Sequence, residues 1–205
     1  MMTSNITKLS NRQKAVEAAA ELFLQKGYHD SSMDEVVAIS GVSKSNIYYH
    51  FKSKEELTSE VIAWRIARYE QLIDDLNALQ LGVANKIDIL FEKLYREIEG
   101  RNCVGGNPFI SLWNQVSIDA RLIRTQIHNF FAQKSQVFQS LIVQGVEEGT
   151  WSDHLPVEST TVLLISSLEG ALILAEVHQN AAVLLEVKSA FLQIMHGYNR
   201  RVDGV

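Results

Sequence analysis

The sequence predicts an all-α protein: an N-terminal three-helix, helix-turn-helix head followed by a larger C-terminal helical domain, about nine helices in total. Three observations carry this. Apolar residues recur at three- and four-residue spacing almost end to end, and Val/Ile/Thr runs of period two are scarce. Only two prolines, Pro108 and Pro156, interrupt 205 residues. The chain is 46% hydrophobic, enough for a sizeable core.

The first helix runs from about Ser10 to Lys26. Val16, Ala19, Ala20, Phe23 and Leu24 form its apolar stripe, and Gly27 stops it. Lys8 and Arg12 stand off that stripe and are candidates to reach a phosphate or a minor groove. Ser32 and Glu35 form a capping box that starts a second helix, which turns Val36 and Val37 inward and stops at Gly41. Ser43 caps a third helix at once, so "GVS" is the turn of a helix-turn-helix. This third helix, Lys44 to about His50, spans only about 10 Å and cannot be stable alone. Ile47 and Phe51 anchor it with Val42. Lys44, Ser45, Asn46, Tyr48 and Tyr49 then face outward or sideways, and their amine, amide and hydroxyl groups suit phosphates or base edges. Ser53 and Glu56 form a further capping box that opens a long fourth helix, Lys54 to about Leu79.

The fifth helix spans Asn85–Glu99, with Ile87, Leu90, Phe91, Leu94, Tyr95 and Ile98 inward. "GRNCVGGNP" breaks it. Asn107 is placed to cap, and Pro108 to begin, a short sixth helix to Val116. A seventh helix, Asp119–Glu148, stacks Leu122, Ile123, Ile127, Phe130, Phe131, Phe138, Leu141 and Ile142, and ends at Gly149. The eighth, Pro156 to about Asn180, is apolar around most of its girth. The ninth runs from Ala181 to about Arg200.

Charge and motifs narrow the function. The net charge is −5. Residues 1–54 hold seven Lys/Arg against five Asp/Glu, while residues 55–205 hold twelve against nineteen. A locally positive head on an acidic remainder suits a DNA contact. A single cysteine excludes an intramolecular disulfide and suits a reducing compartment. The N-terminal segment lacks the apolar core of a signal peptide. The run "TVLLISSLEGALILAEV" is interrupted by Glu169 and diluted by small residues, so it reads as a buried or interface helix rather than a membrane span. A cytoplasmic protein is expected. G-x-S-x-G, H-E-x-x-H, P-loop and G-x-G-x-x-G patterns are all missing, and the histidines have no metal-ligand spacing. No catalysis, cofactor or metal is expected. A helical adaptor that binds protein through the head is the alternative class.

Residues 10–60 resemble the TetR family of bacterial transcription regulators. The matching pattern is Gly27-Tyr28, Ser31-Ser32, Val36-Val37, Ser40-Gly41-Val42-Ser43, Tyr48-Tyr49-His50-Phe51 and Lys52-Ser53-Lys54-Glu55-Glu56-Leu57. Val37 stands where alanine is usual, and Ser45 where glycine is common. The resemblance implies a DNA-binding domain over residues 1–54 and a ligand-binding and dimerisation domain over 55–205. It implies phosphate contacts from Ser32, Ser43, Tyr48, His50 and Lys54. Lys44, Ser45, Asn46 and Tyr49 would approach base edges in the major groove of an operator. The function implied is a repressor that binds a palindromic operator as a homodimer and is released by a small-molecule inducer.

The aromatic and polar residues Trp64, Phe91, Tyr95, Phe109, Trp113, His128 and Phe131 are candidates to line the inducer pocket, an apolar site with few polar groups. On the eighth helix, Ser166, Ser167, Gly170, Ala171 and Ala175 are small at three- and four-residue spacing and permit close helix approach, as a homodimeric four-helix bundle needs. Glu169 and His178 are candidates for a polar pair at that interface, for the pocket edge, or for solvated groups. Cys103-Val104-Gly105-Gly106-Asn107 is similar to a "G-C-x-x-G-N" segment of one branch of the family. That branch includes regulators that sense electrophiles or oxidants through the cysteine, and others that bind plant flavonoids. Asn102 replaces the first glycine. Cys103, beside Arg101 at a helix-terminating loop, is thus a possible redox sensor, with a buried inert thiol as the plainer reading.

Overall fold

The computed structural model describes residues 9–198. Among them it holds nine helices and no extended strand: α1 (Asn11–Lys26), α2 (Met33–Ser40), α3 (Lys44–His50), α4 (Lys54–Ala78), α5 (Val83–Gly100), α6 (Pro108–Gln115), α7 (Arg121–Glu147), α8 (Val157–His178) and α9 (Val183–His196). Lys8, and the expected end of the last helix at Arg200, lie outside the described residues. The chain forms two compact units. One takes the described residues up to Ala67 together with Phe109–Ile127, and the other takes Arg68–Pro108 and the residues from His128 on. The change of unit therefore falls within α4 and again within α7, and α6 belongs with the first unit.

The first unit is built on α1. Ala15, Ala18, Ala19 and Ala20 are buried along it, and their small side chains let neighbouring helices approach closely. Val16, Leu22, Val36, Val42, Ile47, Phe51, Leu57 and Val61 complete a single core. Val37 and Phe23 are only half-buried against it. Ser10 and Gln13 form a reciprocal capping box at α1, and Ser32 and Glu35 form the expected one at α2. At α4 the box takes another form. Ser53 Oγ accepts from Glu56 N at 3.1 Å, but the Glu56 carboxylate accepts from Lys52 N at 2.6 Å. Gly41 ends α2 in the left-handed region, φ 65° and ψ 13°. α6 is tied to the turn after α1 by Gln115, whose Oε1 accepts from His29 N at 3.1 Å.

The second unit packs the end of α4 with α5, α8, α9 and most of α7 around Phe91, Phe138, Ile142, Leu164, Leu168, Leu172, Leu184 and Phe191. Lys188 on α9 clasps two carboxylates of α5, Asp88 at 2.9 Å and Glu92 at 2.7 Å. Trp151 is fully buried beside Gly145, where an added Cβ would collide with its ring. α5 ends in a tight loop with Asn102 (φ 52°) and Cys103 (φ 60°) both left-handed. Two acceptors on α8 hold this loop. Glu176 Oε1 accepts from Gly105 N at 3.0 Å, and Glu169 accepts from the Asn107 side-chain amide.

α8 is long and apolar enough to cross a membrane by length and composition. Its inner face is nevertheless committed to this unit through Leu164, Leu168, Ala171, Leu172 and Ala175. That corrects the small-residue interface read from the sequence at two of its five positions. Ala171 and Ala175 are buried inside their own chain, because their spacing serves the intramolecular helix contact. Ser166 is exposed, Ser167 and Gly170 are half-buried, and nothing lies within 4 Å of a Cβ built on Gly170. The outward face is instead large and apolar, with Val162 (63% exposed), Leu163, Ile173, Leu174 and Val177 (69% exposed).

Candidate nucleic-acid interface

The third helix is short because its caps leave it no further room. Ser43 Oγ accepts from Asn46 N at 3.4 Å at one end. At the other, Phe51 leaves the helical region with φ −134° and donates to Ile47 O. Lys52 closes that end, its Nζ donating to Tyr48 O at 3.0 Å and Tyr49 O at 3.1 Å. A lysine on C-terminal carbonyls complements the helix dipole. The sequence reading missed this role, although a lysine two residues past a helix end is its usual signal.

With Ile47 and Phe51 buried, the opposite side of α3 is presented to solvent. Tyr49 is 73% exposed and Tyr48 37%. Ser43, Lys44 and Ser45 are exposed, and His50 is half-buried beside the Tyr49 ring at 5.1 Å between centroids. Asn46 is half-buried, and its Oδ1 has no hydrogen-bond partner among the described residues. Lys44 pairs with Asp34 of α2 at 2.7 Å. The hydrogen bond and charge of Asp34 raise the Lys44 pKa. Lys26 and Ser32 together hold the Glu35 carboxyl below its ordinary range, the Lys26 hydrogen bond contributing most. Ser32 is exposed at the N-terminus of α2, a place suited to a phosphate.

Two expected contacts are engaged internally. Lys54 Nζ donates to Tyr28 O and to His29 O, the latter at 3.3 Å, and sits 4.2 Å from the Tyr28 ring centroid. Burial lowers its pKa, opposed by Asp30 and Glu35. It ties α4 to the α1–α2 turn. Arg12 pairs with Glu60 at 2.6 Å.

The expected pocket residues fall into both units. In the first, Trp64 packs on the head core, Phe109 is buried, and Trp113 lies under the Arg124 guanidinium at 3.9 Å. In the second, Phe91 is fully buried in the core, Tyr95 is half-buried and donates to Glu99 at 2.5 Å, and His128 is exposed. Phe131 alone of these four stands against a buried polar cluster. That cluster is Lys134 on α7, Glu169 on α8 and Asn107. Lys134 Nζ pairs with Glu169 Oε1, and Asn107 donates to Glu169 Oε2. The cluster answers the question of Glu169, while His178 is exposed at the end of α8, so the two form no pair. Cys103 is 5% exposed inside the second core. Its burial removes the exposure that a thiol sensor requires, and nothing favours that alternative.

The comparisons agree with this architecture. A family model described as bacterial regulatory proteins, tetR family, matches residues 15–61, the head from α1 into α4. The chain is 26% identical over 170 residues to the HTH-type transcriptional repressor DhaR of Mycobacterium sp. strain GP1, covering 82% of this chain and 84% of that one. The fold is similar to that of regulatory protein TetR from Rhodobacter sphaeroides, with a TM-score of 0.82 at 16% identity over 91% of this chain and 98% of the other. It is also similar to FadR from Bacillus subtilis in complex with stearoyl-CoA, with a TM-score of 0.71 at 16% identity over 89% and 96%. With an exposed donor face on a clamped third helix, residues 15–61 are a helix-turn-helix, DNA-binding domain of the tetR family of bacterial regulatory proteins, and the chain is similar over most of its length to helix-turn-helix transcriptional regulators.

Proposed function

We propose that this regulator is a homodimeric repressor that binds a palindromic operator in the cytoplasm and is released by a small-molecule inducer. The observation that carries the reading is the seven-residue α3, fixed from below by Ile47 and Phe51 with its polar side free. In this reading Ser32, Ser43, Tyr48, His50 and Lys54 bind phosphates and fix the register. Lys44, Ser45, Asn46 and Tyr49 meet base edges and carry sequence preference. Residues 1–54 act as the DNA-binding part and residues 55–205 as the ligand-binding and dimerising part. Paired heads would place two α3 helices in successive major grooves, about 34 Å apart.

Dimerisation is supported by the outward face of α8. Val162, Leu163, Ile173, Leu174 and Val177 form an exposed apolar stripe of the kind a soluble chain covers with a partner. A second copy covers it in an isologous four-helix contact. Ser166 and Gly170 interrupt the stripe and let the two helices approach. The repression and the ligand are supported by the DhaR likeness and by the acyl-CoA held in the FadR neighbour.

The test is a gel shift with the DNA upstream of the protein's own gene, competed with unrelated duplex. A shift that survives a large excess of competitor is expected, with one complex at the mass of two chains. Equal competition by unrelated DNA would remove the operator reading.

A further inference from the structure

The second unit buries a charge pair that joins α7 to α8. Lys134 and Glu169 are 4% and 9% exposed, with the Phe131 and Phe138 rings beside the lysine and Phe130 stacked edge-on against Phe131. Desolvating two charges is costly, and well-packed apolar residues usually serve stability as well or better. The pair therefore calls for a use.

The spare hydrogen-bonding capacity around it is weighted toward donors. An ammonium has three N–H donors. Lys134 spends one on Glu169, and its nitrogen is otherwise surrounded by aromatic faces, with ring centroids of Tyr69, Phe131 and Phe138 at 5.9, 5.8 and 5.6 Å. The hydroxyl of Tyr69, whose ring is one of these three, is buried and has no hydrogen-bond partner among the described residues. The negative charge of Glu169 is near enough to act on it. The groups in want of partners are thus the remaining N–H donors of the ammonium and a phenol hydroxyl that can donate as well as accept. Glu169, the acceptor, is already filled on both oxygens, by Lys134 and by Asn107. A cationic ligand would meet a competing ammonium and a saturated carboxylate. An anionic oxygen would meet an ammonium and an idle hydroxyl.

We propose that the inducer is an amphiphilic carboxylate, an acyl or aryl acid, whose carboxylate is held by Lys134 and Tyr69 and whose apolar body lies along Phe130, Phe131 and Phe138. This rests on the ligand-responsive reading above. Glu169 is then the resident stand-in for the ligand's carboxylate. Two carboxylates on one buried ammonium repel, so the ligand takes Lys134 from Glu169. No bond is made or broken covalently. Glu169 also holds Asn107, the residue before α6 in the chain. Its displacement loosens the segment that leads into α6, and α6 holds the α1–α2 turn through Gln115. The same event that binds the acid therefore acts on a helix that supports the head.

Isothermal titration of the full-length protein with decanoate and biphenyl-4-carboxylate tests the class, with decanol and decylamine of matched length as controls. The carboxylates bind, and the alcohol and amine bind at least tenfold more weakly. Tyr69→Phe removes only a hydroxyl that has no partner in the ligand-free fold, so it folds, and it weakens carboxylate binding roughly tenfold. Lys134→Met with Glu169→Met removes both charges together, leaves no buried ion unpaired, and abolishes the preference for the acid. Circular dichroism verifies that each variant is folded. Binding of decanol or decylamine as tight as that of the acids overturns the proposal, as does undiminished acid binding by folded Tyr69→Phe. The operator gel shift on ligand-free protein separates the two readings. Loss of the shift there counts against the regulator, while a normal shift with no preference for carboxylates counts against the ligand class alone.

Discussion

The Gln115 side-chain oxygen accepts a hydrogen bond from His29 N at 3.1 Å and occupies the space that a Cβ on Gly27 would need, 2.8 Å away. Gly27 has φ 88° and ψ 157°, a region that essentially only glycine adopts. A Cβ there would push the Gln115 amide aside and cost its hydrogen bond to His29. Gly41 is also left-handed, but nothing lies within 4 Å of its absent Cβ. Gly27→Ala should therefore destabilise the protein by about 2–3 kcal/mol, against about 1 kcal/mol for Gly41→Ala. Urea midpoints measure both. Equal losses would mean that the Gln115 contact adds nothing.

Contacts that position the duplex and contacts that read it respond differently to mutation. Tyr48→Phe and Lys54→Ala should weaken binding to all sequences alike, and loss of a lysine should lower the salt slope by about one unit. Substitution of Asn46 or Lys44 should change preference among operator variants by about 1–3 kcal/mol per lost base contact. Lys54 also ties Tyr28 and His29 to α4, so Lys54→Ala needs a stability measurement beside the gel shift. Normal operator affinity in stable Tyr48 and Lys54 variants at physiological salt would refute the assignment.

The head was legible in the sequence because every signal in it is local. Ser32 with Glu35, Gly41, Ser43 and the Ile47–Phe51 spacing each act within one or two turns, and each stands as read. The second unit was legible as helices but not as a site. Ala171 and Ala175 have the same spacing whether they meet a neighbour in the chain or a second copy, and only the fold decides. Lys134 lies on the apolar stripe of α7 between Phe130, Phe131 and Phe138. That polar break was its one signal, and its partner is remote in sequence on α8. Trp151 follows a glycine turn and belongs to no periodic stretch, so nothing local announces its burial.

The outward face of α8 makes a separable prediction. Val162→Glu and Ile173→Arg place charge on exposed positions and should yield folded monomers with operator affinity reduced by at least tenfold. Ala171→Arg, on the inner face, should unfold the second unit instead, because a buried unpaired charge has no compensation there. Sedimentation velocity at micromolar concentration distinguishes the outcomes. Dimers that persist in Val162→Glu and Ile173→Arg would place the interface elsewhere.

Tyr69 makes the stability of the second unit depend on alkaline pH. Burial is the larger cause, and the Glu169 charge the smaller, of a phenol pKa raised above its ordinary 10.0. In the unfolded chain the same phenol ionises at about 10. Between those values the unfolded chain has lost a proton that the folded chain keeps, so stability falls as pH rises. The contribution of Tyr69 is complete below about pH 10 and is lost progressively above it. Tyr28, Tyr95 and Lys188 also carry raised values and steepen the same limb, so the wild-type profile alone does not isolate Tyr69. The difference between wild type and Tyr69→Phe does. Urea midpoints from about pH 8 to pH 11 should diverge for the two proteins, with wild type losing more as the unfolded-state phenol titrates. Parallel profiles across that range would mean that the Tyr69 hydroxyl is solvated in the folded protein and is not an idle buried group.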